Sequence, residues 1–206
     1  MSRLAILGAS GHGKVVADAA ESAGWTHIDF FDDAWPACAL IGVWSCVGAT
    51  NDLVLKVSAY DGVVVAIGNN SVRETKLREL SSANAPIVSV VHPRATVSRY
   101  CSIGKGCVVL AGVQVNPGAE VGDGAILNTG CSVDHDCLIG ASVHISPGAH
   151  LAGGVQIGDR TWIGIGACIK QLVRVGADVI VGAGAAVISD VPAGQVVAGV
   201  PATQIK

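Results

Sequence analysis

The chain has 206 residues, half of them hydrophobic but only 4% aromatic, with 27 glycines, 14% charged residues and a net charge of −3. That composition excludes a disordered chain, which needs low hydrophobicity and high charge, and glycine without a three-residue period excludes collagen. With no basic cluster, neither nucleic acid nor an anionic membrane is expected as partner, and the longest apolar stretch, residues 179–188, falls well short of the about 20 residues of a spanning helix. The apolar run after Arg3 stops at Gly8, too soon for a secretory leader. Seven cysteines, an odd number with no Cys-x-x-Cys pair, argue against a disulfide framework or a zinc ribbon. A cytoplasmic protein is expected.

Residues 4–7 form a short apolar strand, and Gly8-Ala9-Ser10-Gly11-His12-Gly13-Lys14 is a glycine-rich loop. Residues 15–23 carry apolar side chains at helical spacing and end at Gly24. Residues 27–31 are a second strand closed by Asp32 and Asp33, and residues 34–60 show no clear pattern. A third strand, 63–67, ends at Gly68, Asn69 and Asn70. Ser71 is placed to cap a helix through Arg73, Lys76 and Leu80. Residues 86–91 are a last strand. Strand–helix alternation of this kind predicts a small Rossmann-like α/β domain with a parallel sheet over residues 1–90. The loop reads G-x-x-G-x-G rather than the dinucleotide pattern G-x-G-x-x-G. Even so, a glycine turn opening a helix exposes backbone N–H groups that favour phosphate, and acids ending the second strand can accept from a ribose or base. A purely structural tight turn is the alternative.

From Val91 to Val187 every sixth residue is aliphatic, seventeen in register without a break. Four residues after each stands a small or β-branched residue, and glycine often follows the aliphatic one, as in Ile103-Gly104, Val121-Gly122 and Ile157-Gly158. A period of six fits neither a helix nor simple alternation. It fits a short strand and a turn, three of which close one triangular coil of 18 residues, coil stacking on coil. The large aliphatic residue fills the interior, and the small one sits where the chain bends. Cys101, Cys107, Cys131 and Cys137 take the small inward position and read as core residues. This hexapeptide repeat resembles that of the left-handed β-helix acyltransferases. The left hand is implied by that resemblance, since periodicity cannot show it.

The repeat carries twelve charged side chains, and two of its six acids flank one histidine: Asp134-His135-Asp136. A histidine held by a carboxylate is a general base, whereas aspartates in a turn are also ordinary solvated residues. His144 and His150 occupy the same place in successive hexads, hence different faces of the triangle.

The loop 8–14, the Asp32-Asp33 pair, the Gly68-Asn-Asn turn and the hexapeptide prism together resemble the nucleotide-sugar N-acetyltransferases of the sialic acid and bacillosamine type, over nearly the whole chain. The resemblance implies a domain at 1–90 that holds a nucleotide-linked amino-sugar, UDP-linked in the nearest likeness, through Ser10, Gly11, His12, Asp32, Asp33 and Gly68. It implies a left-handed β-helix at 91–206 that takes acetyl-CoA as co-substrate, touched by His144, Ile165 and Ala183. His135 would be the base and Asp136 its partner, acting without a metal, in a homotrimer whose sites lie between subunits and which serves bacterial surface glycan synthesis. The tail 198–202 resembles the family's closing loop. Sugar O-acetylation, a zinc hydrase of the γ-carbonic-anhydrase type using converging histidines, and a non-catalytic nucleotide-sugar-binding module are the alternatives.

Overall fold

A computed structural model describes residues 2–205. Strand β1 (Arg3–Leu7) lies between β2 (His27–Phe31) and β5 (Gly62–Val65), all parallel. Every residue of these strands except Arg3 and His27 is buried. Near-continuous Val, Ile, Leu and Phe is what a parallel sheet covered on both faces requires. Helix α1 (Gly11–Ser22) follows β1, and α3 (Asn70–Ser82) follows β5. The stretch 34–60, patternless in sequence, holds a two-residue-per-strand hairpin, β3 (Leu40–Ile41) and β4 (Trp44–Ser45), then α2 (Thr50–Lys56). Its elements are too short to show a period. The cap of α3 is also two residues earlier than expected: the Asn69 side chain, not Ser71, accepts from Val72 N at 3.0 Å. Asn serves as well as Ser at an N-cap, and two candidate caps in succession leave the sequence ambiguous.

From Val90 onward the chain is a parallel β-solenoid with three faces. Face I stacks Val90–Val91, Val108–Val109, Ile126–Leu127, His144–Ile145, Trp162–Ile163 and Ile180–Val181. Face II stacks Thr96–Val97, Gln114–Val115, Ser132–Val133, His150–Leu151, Cys168–Ile169 and Ala186–Val187. Face III stacks Ser102–Ile103, Glu120–Val121, Leu138–Ile139, Gln156–Ile157 and Arg174–Val175. Partners are 18 residues apart, as Val91 pairs Val109. The aliphatic position points inward, and Cys107, Cys131 and Cys137 fill the interior with it, while Cys101 packs against it from the first coil. At the far end Val196–Ala198 extends face I, Thr203–Gln204 folds back antiparallel on it, and Ala202 packs against the interior cluster. An exposed strand edge is thereby shortened.

The N-terminal sheet region sits on face I. Val16, Ala17 and Ala20 of α1 share one buried cluster with Val108, Leu110 and Ile126 of that face. Val90 belongs to the same cluster, so the last strand anticipated before the repeat is the solenoid's first rung. The interior tolerates little change in volume. Ile145→Ala, at a position with no exposure, should cost about 2–5 kcal/mol in urea unfolding. Gln114→Ala, outward on face II and exposed, should stay within about 0.5 kcal/mol of the parent.

Candidate active site

The glycines of loop 8–14 divide into two kinds. A Cβ on Gly13 would overlap the Gly8 carbonyl, and one on Gly8, whose φ is +116°, would lie 2.8 Å from the Ala66 carbonyl oxygen. These two let β1, α1 and β5 pack closely. Gly11 and Gly68 have nothing within 4 Å of a Cβ position. Packing does not demand glycine there, so what their bareness leaves is open space in front of a helix N-terminus. Ser10 is the N-cap of α1, yet its side chain caps no backbone N–H. The first-turn N–H groups therefore keep their capacity for an anion.

Asp32 and Asp33 differ in employment. Asp32 accepts from Ala9 N at 2.7 Å and Ala34 N at 2.9 Å, so it closes the loop. Asp33 accepts from Thr50 N at 2.9 Å and sits 3.2 Å from Lys76 Nζ, with most of its side chain exposed. The Thr50 hydrogen bonds, with Lys76 beside them, hold its carboxyl below the usual range.

His144 points outward from face I and is nevertheless 7% exposed, because the N-terminal region covers it. Its ring stacks on Trp162, centroids 5.1 Å apart and 15° between planes, and faces His12 at 6.3 Å. The Asn128 amide has a fixed orientation: Oδ1 accepts from Thr129 N at 2.9 Å, so Nδ2 donates to His144 Nε2 at 3.1 Å. Nε2 is thus an acceptor, and the neutral ring carries its proton on Nδ1. That Nδ1, and Nε2 of His12, are buried without a partner. Burial first, then the charge of Arg73, lowers His12 to about 4. Burial, Arg73 and His12 lower His144 to about 3, against a weak opposing effect of the Gly68 backbone. Both rings are neutral at physiological pH.

His135 lies elsewhere in the chain, on the vertex between faces II and III, opposite the covered face I. Its Nδ1 meets Asp136 Oδ2 at 2.8 Å, and Asp134 Oδ1 accepts from the His135 N–H at 2.8 Å and from Asn116 Nδ2 at 2.7 Å. The bond to Asp136, then the charge of Asp134, raises the imidazole above its ordinary value. With Nδ1–H directed at Asp136, Nε2 is the free basic nitrogen. Asp136 adopts φ +58° to reach this position, a conformation that aspartate tolerates better than most residues. The ring lies over Gly153 of the next coil, where a Cβ would stand 2.5 Å from Nε2. Sequence reading missed Gly153. The Gly153-Gly154 pair was the available signal, since only Gly154 has positive φ and Gly153 serves clearance alone.

Ile165 and Ala183 stand at equivalent exposed places, one coil apart, on the vertex between faces I and II. His150 is outward on face II and bonded to Ser132 Oγ at 2.8 Å. His135, His144 and His150 thus do not converge within one chain. A groove of about 870 Å³ runs along face III between Glu120, Leu138, Arg174 and Pro192 and contains none of the candidate residues.

This is the architecture of a left-handed β-helix acyltransferase joined to a small nucleotide-binding-type sheet. The sequence pattern of the PglD N-terminal domain matches residues 3–80. The acetyltransferase domain of PglB from Neisseria gonorrhoeae FA1090 superposes with a TM-score of 0.95 and 41% identity over 100% of both chains, and its acetyl coenzyme A complex with 0.92. PerB from Caulobacter crescentus, in complex with CoA and GDP-perosamine, gives 0.94 and 37% identity over 100% of this chain and 98% of that one. UDP-N-acetylbacillosamine N-acetyltransferase of Bacillus subtilis (strain 168) is 34% identical over 113 residues, 54% of this chain and 52% of that protein, so the match spans about half the length of this curated relative. The chain belongs to the hexapeptide-repeat nucleotide-sugar N-acetyltransferase family, and its solenoid is the left-handed β-helix of that family. Among the described residues no helix is long and apolar enough to cross a membrane.

Gly153→Ala tests the clearance under His135. The variant should fold with a far-UV spectrum like the parent, but its His135 ring resonances, followed by NMR through a pH titration, should move. An unchanged titration would mean that the ring does not rest on this glycine.

Proposed function

We propose that this protein transfers acetyl from acetyl-CoA to the amine of a nucleotide-linked 4-amino-sugar, with His135 as general base. The observation that carries the reading is the His135–Asp136 pair, one nitrogen tied to a carboxylate and the other free. The diphosphate of the acceptor rests on the first-turn N–H groups of α1 at Ser10, Gly11 and His12, in the space that Gly11 and Gly68 leave open. Asp33, with Asp32 behind it, faces the nucleoside. Residues 1–90 hold this acceptor and residues 91–206 hold acetyl-CoA. The curated relative is named for a UDP-sugar and PerB was seen with GDP-perosamine; a UDP-sugar is our reading, N-acetylation rather than O-acetylation with it.

Acetyl-CoA runs along the vertex between faces I and II, its thin arm against the backbone at Ile165 and Ala183, and its thioester end near His144. The amine attacks the thioester carbonyl and forms the C–N bond. His135 Nε2 takes the ammonium proton, Asp136 stabilises the resulting imidazolium, and the C–S bond breaks to release the CoA thiolate, which recovers a proton from His135. Backbone N–H groups hold the oxyanion. Within one chain His135 is on the vertex opposite face I, whereas the acceptor loop and His144 are on face I. A complete site therefore takes His135 from one copy and face I from another, and a closed homotrimer supplies three such pairings. We place the reaction in the cytoplasm, where acetyl-CoA and nucleotide sugars are available.

His135→Ala should lower kcat by about 10²-fold or more, and His144→Ala should act mainly on the KM for acetyl-CoA. The free base must be neutral, so kcat/KM should rise with pH through an ionisation above the ordinary imidazole value. Asp136→Asn removes the main cause of that elevation and should move this limb to lower pH while reducing the rate. A limb that stays in place would exclude His135 as the titrating base.

Acceptor recognition is tested by comparing the free amino-sugar with its UDP and GDP forms at fixed acetyl-CoA. Remote binding energy should make the free sugar a very poor substrate. Gly11→Val, which meets no protein atom at its Cβ, should weaken the acceptor and spare acetyl-CoA. Light scattering should return three times the chain mass of 20.7 kDa; a monomer mass would leave His135 without its partner face.

A further inference from the structure

Among the described residues Arg73 is the largest side chain with no solvent exposure, and no carboxylate among them pairs with it. Its Nε donates to Gly124 O at 2.7 Å. Nη1 donates to Ile67 O at 2.8 Å and Gly68 O at 3.2 Å. Nη2 donates to Asn70 Oδ1 and Ser142 O, both at 2.8 Å, with Val143 O at 3.4 Å. The carbonyls so gathered are those of the Gly68 turn on one side and, on the other, of Gly124 and, one coil further on, of the two residues before His144. A planar fork with fixed donors can hold two backbones in one relation; a lysine ammonium cannot.

We propose that Arg73 is a positioning residue for the acceptor: its guanidinium clamps the Gly68 turn to the strand start at His144, and so fixes the acceptor side of the site, where His12 stands, against the ring of His144. This rests on the acceptor reading above and adds how the two sides of the site are held together. The two unpartnered nitrogens, His12 Nε2 on the acceptor side and His144 Nδ1 on the acetyl-CoA side, lie where the two sides meet. A doubly protonated His144 would turn an N–H toward the Asn128 amide donor, so the geometry itself requires the neutral ring. The charged or titratable groups acting on the pair are Arg73 and the two rings themselves. Arg73 thus serves twice, as a clamp through its fork and as a charge that adds to burial in keeping both rings neutral.

The two contributions separate in Arg73→Lys and Arg73→Gln. Lys keeps the charge and loses the fork; Gln loses the charge and most of the fork. In the parent protein NMR should find neither His12 nor His144 titrating above about pH 5, since buried imidazoles stay neutral there. In Arg73→Gln at least one should titrate at higher pH, and in Arg73→Lys neither should move. Both variants should lose about tenfold or more in kcat/KM for the nucleotide-sugar, the scale of a small misplacement, with CoA affinity by calorimetry within about twofold of the parent, because the Trp162 stack and the strand pairing still hold His144 and the element released is the Gly68 turn. Unchanged acceptor kcat/KM in both variants, or a loss matched by an equal loss of CoA affinity, would reduce Arg73 to a stabilising residue and overturn the proposal. Should neither variant fold, Asn70→Ala removes one acceptor from the fork and leaves its carbonyls. It should raise the acceptor KM and spare CoA, and no change in KM would refute the clamp. Failure of the parent to acetylate any nucleotide amino-sugar would instead count against the function, and the histidine titrations would still decide the geometry.

Discussion

A buried guanidinium with no carboxylate partner among the described residues governs how the two halves of this protein meet. Moving a charge out of water costs several kcal/mol even after relaxation, and burial pushes Arg73 down to about 10. The charge persists because its donors all find oxygen: backbone carbonyls from Ile67, Gly68, Gly124 and Ser142, and the Asn70 amide. Those carbonyls belong to the β5–α3 turn and to successive vertices of the solenoid. Asn70 itself donates to Arg160 O at 2.8 Å, the next coil along. Arg160 in turn pairs with Asp178 at 2.7 Å and approaches Glu74 at 3.4 Å. One helix end is therefore fastened to three consecutive coils. The apolar contact of α1 with face I adds area without direction, and the polar fork adds the direction.

That arrangement distributes chemistry over separate edges of one prism. Face I is roofed, and the roof turns an outward histidine, His144, into a buried neutral group stacked on Trp162. The opposite vertex stays in solvent, where His135 keeps two carboxylates close and a pKa above the ordinary imidazole value. A strand position under the roof and a vertex position in solvent thus yield imidazoles of opposite electrostatic character. The interior contributes nothing chemical: aliphatic residues and cysteines pack it to a rigid rod, and burial pushes Cys107 up to about 11 and Cys131 to about 12, which makes them inert. Rigidity is the use of such a rod, because side chains 18 residues apart in sequence stand one rung apart in space.

Much of this was legible in the residues. The six-residue period specified the inward positions from Val97 to Val187, because a coil that buries one aliphatic side chain per edge repeats its demand without variation; Val91, on the open first rung, stays exposed. The glycine loop was legible as a strand-to-helix turn, and Asp134-His135-Asp136 as a cluster, since three adjacent residues need no tertiary fold to meet. The pattern failed where elements are short or choices degenerate. The β3–β4 hairpin has two residues per strand, and Asn69 and Ser71 are both competent caps. Among the glycines, sequence could not separate Gly8 and Gly13, which packing requires, from Gly11 and Gly68, which it does not.

By itself, then, the sequence determined the prism, the small parallel sheet and the identity of the histidine beside its carboxylates, because those follow from period, alternation and adjacency. Only the tertiary structure decided that Arg73 is buried, that His144 is covered and set against His12, and that His135 stands on the far vertex from both. Each of these is a relation between segments 50 or more residues apart, as between Arg73 and Gly124, or between opposite edges of one coil. No local pattern of hydrophobicity or charge encodes such a relation; it arises when the sheet region settles on one face out of three.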